Sequence, residues 1–186
     1  MNMLVEQSFE RMLDNTAKRA IRLAERSALD NPVDLPIAAI ALRGAMIAGE
    51  GTALDQKLQQ PHMHAEVAAL GRARHNHIDP TILVSTAEPC VKCQIAIAAV
   101  ESIETVAFVV PRWMLEAKKL VNPGKPIDPD SLPYNVIQLD DPEQIKKALE
   151  PYDFTQRTPA TNGVEAVTKV DSDAFRAHLA ERPSAI

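Results

Sequence analysis

Apolar residues recur at helical spacing over residues 6–28. Phe9, Met12, Leu13, Thr16, Ala20, Leu23 and Ala28 trace one face, with Arg and Glu opposite. Asn31-Pro32 ends that helix. Pro36–Leu42 is then short and almost wholly apolar, the mark of a strand buried on both faces, with a second strand expected near Ala45–Ala48. Gly49–Pro61 is polar and reads as a loop. His64–His75 has the composition of a helix, Thr81–Thr86 is β-rich, residues 90–101 read as helical, and Glu104–Val110 reads as a strand. Pro111–Leu120 is a helix with proline in its first turn. Val121–Pro133 holds four prolines and is a loop. Asn135–Leu139 is the last strand, and Asp141–Leu149 a helix that Asp140 or Asp141 caps. Residues 151–186 are sparse and polar until a short helix near Ser172–Glu181. The alternation implies an α/β domain over residues 1–150 around a five-stranded, largely parallel mixed sheet, with a C-terminal extension over 151–186.

Composition narrows the class. Of 186 residues, 46% are apolar and 24% charged, which excludes collagen-like and strongly disordered chains. Four Phe, two Tyr and one Trp are all the aromatics, so the core must be aliphatic. A net charge of −5 opposes nucleic acid and anionic membranes as partners. The start MNMLVEQSFERM is acidic and lacks an apolar run, so no leader is expected, and no stretch approaches the ~18 apolar residues of a membrane span. A cytoplasmic protein is the simplest expectation. The only cysteines, Cys90 and Cys93, exclude a disulfide framework and point to metal or redox chemistry.

The chemistry concentrates in His64-Ala65-Glu66 and Pro89-Cys90-Val91-Lys92-Cys93. Two cysteines three apart at a helix start place both sulfurs on one side of the first turn, where the helix dipole favours thiolate. A histidine completes three N/S ligands of the kind zinc prefers, and three rather than four leaves a position open for water, as in catalytic sites. Zinc lowers the pKa of bound water from 15.7 to roughly 7. Glu66, two residues past His64, is placed to take a proton and pass it on. The bland alternative is a structural Cys-x-x-Cys clip with an unrelated His-x-Glu.

The pattern H-x-E followed by P-C-x-x-C is the signature of zinc nucleobase deaminases. Over about residues 36–120 the chain resembles the cytidine/deoxycytidylate deaminase-like superfamily, in the His-Ala-Glu branch with guanine, cytosine and tRNA-specific adenosine deaminases. The resemblance rests on Pro36–Ala41, His64–Leu70, Thr86–Cys93 and the strand Thr105–Val110. It implies a three-layer α/β/α fold, one zinc on His64, Cys90 and Cys93, and Glu66 as proton shuttle. It also implies subunits assembled at least as dimers. The chain departs from that branch where a base-binding Asn commonly follows the second strand, since it reads Gly49-Glu50-Gly51-Thr52, and where Met often separates the cysteines, since it has Lys92.

The expected function is hydrolytic deamination of a small nucleobase or nucleoside. His62, Ala65 and Pro89 are candidate substrate contacts, and Tyr152 and Phe154 are candidates for a lid. A tRNA adenosine deaminase is the rival, for which Arg112, Lys118, Lys119 and Lys125 would form the docking surface. A non-enzymatic zinc protein is the remote alternative, against which the intact Glu66 argues. The helix over 90–101 is apolar on nearly every face and needs cover from its own domain or from a second copy.

Overall fold

The stripe of the first helix runs past both expected ends. In the computed structural model, which describes residues 3–60, 62–121, 127–158 and 167–182, α1 spans Met3–Asp30. Leu13, Ala17, Ala20, Ala24 and Ala28, at helical spacing, are all buried beneath it. The chain then forms β1 (Ala38–Arg43) and β2 (Met46–Thr52), α2 (Ala65–His75), β3 (Ile82–Ala87), α3 (Val91–Ala98), β4 (Thr105–Val110) and α4 (Arg112–Ala117). A short 3-10 turn at Pro129–Ser131 leads to β5 (Asn135–Gln138) and α5 (Pro142–Asp153). Asp141 caps α5, accepting from the backbone N–H of Glu143 at 2.9 Å and of Gln144 at 3.3 Å. The proline-rich connection expected over 121–133 lies partly outside the described residues, as does Lys125.

The five strands stand in the order β2-β1-β3-β4-β5. The expectation of a largely parallel sheet is corrected: β1 pairs antiparallel with β2 and β3, while β3–β4 and β4–β5 are parallel. The reason is local. A tight turn at Gly44, whose φ of +57° suits glycine, can only return the chain antiparallel, whereas the helical crossovers that follow β3 and β4 return it parallel.

Helices cover both faces and make three layers. Large aliphatics, among them Leu13, Ile21, Ile40, Leu42 and Val84, pack beneath α1 and α5. Ala39, Ala41, Ala48, Ala65, Ala69 and Ala73 pack beneath α2 and α3. The loop expected from Gly49 begins instead as strand, because β2 runs to Thr52. Its glycines have a packing role. A Cβ on Gly49 would meet the Ala69 carbonyl oxygen at 2.3 Å, and one on Gly51 the Ala65 carbonyl oxygen at 2.4 Å. The backbone of α2 therefore lies directly on β2, which glycine alone permits.

The extension also differs from expectation. Helix α5 continues through Pro151 to Asp153, past the boundary drawn at 150. An antiparallel hairpin of β6 (Thr155–Thr158) and β7 (Val167–Val170) follows, then α6 (Ser172–Glu181). Phe175 and Val170 pack against Ala28 near the end of α1.

Candidate active site

His64 is the N-cap residue of α2 and Cys90 that of α3. Both have extended backbone, and neither side chain caps its own helix. Each is thereby free to turn toward the other at the point where two positive helix ends converge. Cys93, one turn into α3, is buried. His64 Nδ1 lies 3.2 Å from Cys93 Sγ and 3.4 Å from Cys90 Sγ, and the sulfurs are 3.5 Å apart. Tetrahedral zinc with its usual bond lengths has ligand–ligand edges of roughly 3.5–3.8 Å; the three spacings here fall short of that by at most a few tenths of an ångström, so one nitrogen and two sulfurs fit it after a slight opening. Among the described residues these three make up the one such group.

Glu66 lies beside them, 4% exposed. Ser85 on β3 donates its hydroxyl to Glu66 Oε1 at 3.3 Å, and Cys93 Sγ lies 3.3 Å from Oε2. Burial pushes the Glu66 carboxyl above its ordinary range, which suits a group that must hold and release a proton. The adjacent Cys93 sulfur, and then His64, pull the Cys90 thiol down to about 3, while the neighbouring Cys90 and burial push Cys93 up. His64 is raised, chiefly by its hydrogen bond with Cys90. The cluster thus favours thiolate at its more accessible sulfur.

Three residues absent from the sequence reading position this centre. Asp34 is 1% exposed. Its carboxylate accepts from the backbone N–H of Gln56 at 2.6 Å and Lys57 at 3.2 Å and from Asn31 Nδ2 at 2.8 Å. It anchors the loop that leads to His64. Asp55 lies against it, and burial, followed by Asp34, raises the Asp55 carboxyl. Ser85 is the third. Asn31 enters the sequence reading only as part of the helix stop, and Asp34 not at all; the available signal was an Asx pair flanking Pro32.

The other candidates separate. Ala65 is fully buried at the start of α2 and Pro89 is buried next to Cys90, whereas His62 is exposed. Glu88 accepts from the Arg112 backbone N–H at 2.8 Å, tying the loop before Cys90 to the start of α4. Tyr152 and Phe154 do not come to the site as a pair. Tyr152, 3% exposed, belongs to the core under α1, because the apolar spacing of α5 carries it inward. Burial and then the Glu66 charge raise its phenol, and its hydroxyl has no partner among the described residues. Phe154 packs its ring, tilted, against Phe175 at 5.4 Å and His178 at 5.3 Å between ring centres. In the basic cluster, Arg112 pairs with Glu116 at 3.0 Å and Lys118 with Asp153 at 2.5 Å.

The model of the cytidine and deoxycytidylate deaminase zinc-binding region matches residues 11–110, from α1 through β4. The chain belongs to that family. It is accordingly a zinc-dependent hydrolytic deaminase, acting on carbon–nitrogen bonds. No curated protein sequence matches this deaminase significantly. Its fold is shared with solved structures. Guanine deaminase from Nitrosomonas europaea is 17% identical, with a TM-score of 0.58 over 75% of this chain and 79% of that one. Guanine deaminase from Bacillus subtilis is 23% identical, with a TM-score of 0.51 over 75% and 90%. A tRNA:A34 deaminase is 17% identical, with a TM-score of 0.51 over 67% and 97%.

Proposed function

We propose that the chain deaminates a small free nucleobase or nucleoside, with Glu66 as its proton shuttle. The observation that carries this is the Glu66 carboxyl itself, buried, raised in pKa and hydrogen-bonded beside the His64, Cys90 and Cys93 donor set. His64, Cys90 and Cys93 would hold zinc, which when bound supplies the Lewis acidity that makes water a nucleophile at neutral pH. Glu66 takes the proton from the attacking water at a carboxylate oxygen and delivers it to the ring nitrogen of the substrate amidine. The added oxygen then stays on carbon as the carbonyl, and the exocyclic amine leaves as ammonia with a further proton passed by Glu66. The donated hydrogen bond from Ser85 holds Glu66 in line for both transfers. Of the candidate contacts, exposed His62 stands where it can meet substrate at the rim, whereas buried Ala65 and Pro89 back the two helix starts that carry His64 and Cys90.

A small substrate is favoured by the net charge of −5 and by the pairing of Arg112 and Lys118 with carboxylates, which offsets two charges of the expected docking cluster. A homodimer is favoured by α3, where Ile95 is 61% exposed. Cytoplasmic placement accords with the thiol pair, and no helix among the described residues is long and apolar enough to cross a membrane.

The test is ammonia release from guanine, cytosine, adenine, their nucleosides and deoxycytidylate, set against an adenosine-bearing anticodon stem-loop. Turnover of a free base or nucleoside is expected. Turnover of the stem-loop alone would overturn the small-substrate reading and assign the chain to tRNA. Light scattering at about 20 kDa across micromolar concentrations would exclude the dimer.

A further inference from the structure

Strands β3 and β4 are parallel and end level, with Ala87 paired to Val110. Cys90 follows three residues after Ala87, at the start of α3, and Trp113 three residues after Val110, in the first turn of α4. Parallel strands lie about 4.8 Å apart, so the two segments leave the sheet side by side. Glu88 holds them together. Its backbone N–H donates to the Val110 carbonyl oxygen at 2.8 Å, and its carboxylate accepts from the Arg112 backbone N–H, also at 2.8 Å. Pro111, between those two anchors, has a fixed φ and little freedom to part them.

Trp113 is 62% exposed. Helix α4 meets the core through Met114 and Leu115 and leaves the indole outside it. The other six aromatic side chains of the protein are buried or half-buried, Tyr152 and Phe154 among them. With those two drawn into the interior, Trp113 is the aromatic left to serve the mouth of the site. A single exposed aromatic on an open surface needs no explanation. One fastened beside the ligand set of an enzyme whose substrate is a flat ring does.

We infer that Trp113 is a substrate-binding residue whose indole stacks on the ring of the nucleobase. The inference rests on the reading of a nucleobase or nucleoside substrate given above. Stacking suits an uncharged heterocycle, because it recognises the flat face of the ring and asks for no charge. Contacts of this kind strengthen the binding of a base by roughly ten-fold or more. The ring stays flat-faced toward the indole until attack begins, so the contact is made with bound substrate and is expressed in KM rather than kcat.

Trp113 is the only tryptophan, so its fluorescence reports the contact without reference to turnover. The experiment titrates the full-length, zinc-loaded Glu66→Gln protein with guanine, cytosine, adenine and their nucleosides, using free tryptophan to correct for absorption by the base. Saturable quenching is expected from the same compound that the wild-type protein deaminates. In kinetics on that compound, Trp113→Ala is expected to raise KM about ten-fold while leaving kcat and the melting temperature in place, and Trp113→Phe to restore most of the KM. Turnover without quenching, or an unchanged KM in Trp113→Ala, would overturn the role of Trp113 and leave the proposed function standing. A joint loss of kcat and melting temperature in Trp113→Ala would make the indole structural and overturn it equally. Failure of the wild-type protein to turn over any of these compounds would be failure of the proposed function itself, and of this inference with it.

Discussion

The core beneath α1 and α5 is the richer in large aliphatics, whereas alanine and glycine make the contact where α2 meets β1 and β2. Leu83, Ile97, Ile103 and Val106 fill the rest of that side. Large side chains bury more apolar area and hold a helix at a distance. Small ones bury less but let a helix backbone lie directly on a strand, as α2 does on Gly49 and Gly51. The ligand-bearing side is thus the side built for close backbone placement, since His64 and Cys90 are both helix-start residues whose position is that of the backbone. The opposite side supplies stability and carries no metal-ligand group among the described residues. Precision and stability are here assigned to different faces of one sheet.

Substitutions should separate the two roles. The largest effect falls on turnover: Glu66→Gln is expected to lose at least 10²–10⁴-fold in kcat while retaining zinc, because general acid–base catalysis is worth that much for one transfer and Glu66 serves more than one. Metal analysis beside ammonia assays checks this. Retention of a tenth of the activity would place the shuttle elsewhere. His64→Ala or Cys93→Ala, by contrast, should release the metal, which the same analysis would record as less than a tenth of an equivalent after zinc reconstitution.

On the opposite face, Leu13→Ala should cost about 2–5 kcal/mol of unfolding free energy, as buried leucine truncations do, with kcat of the folded protein unchanged. Urea denaturation reads the first and assays below the transition the second. A fall in kcat would show that the faces are coupled. Asp34→Ala should cost roughly 2–3 kcal/mol and also weaken zinc retention, since it frees the backbone N–H groups of Gln56 and Lys57 on the loop before His64. Equal zinc affinity in variant and wild type would reduce Asp34 to a stability role.

Gly51→Ala inserts a Cβ at 2.4 Å from backbone atoms of α2, so α2 must shift. A loss of about 1–3 kcal/mol is expected, with poorer zinc retention than an equally destabilised Leu13 variant shows. That matched pair is the sharpest test of the comparison.

The smallest effect is one of pH. Backbone N–H groups of Gln144 and Glu143 hold the Asp141 carboxyl below its usual range. Its contribution is therefore complete above the ordinary aspartate pKa near 4 and is lost as pH falls through the depressed value. The melting temperature of Asp141→Asn should lie slightly below wild type at neutral pH, and the gap should close in acid. A gap that widens in acid would contradict the cap.

Much of this was legible in the chain. The α1 stripe, the apolar runs of β1, β3 and β4, and the Asp141 cap are local patterns, and local patterns survive without knowledge of neighbours. So does the ligand set, because His-x-Glu and Cys-x-x-Cys each lie within one helical turn. Strand β2 was misread at Gly49–Thr52 because glycine signals a loop wherever nothing presses on it, and what presses on it is α2, more than ten residues away. Sheet polarity, the carboxylate anchor at Asp34 and the inward turn of Tyr152 were hidden for the same reason. Residue types and their spacing determined which groups do chemistry and where helices begin. Only the packed structure decided how the two helix starts meet, because the energy of close backbone contact and of buried hydrogen bonds exists only between segments distant in sequence.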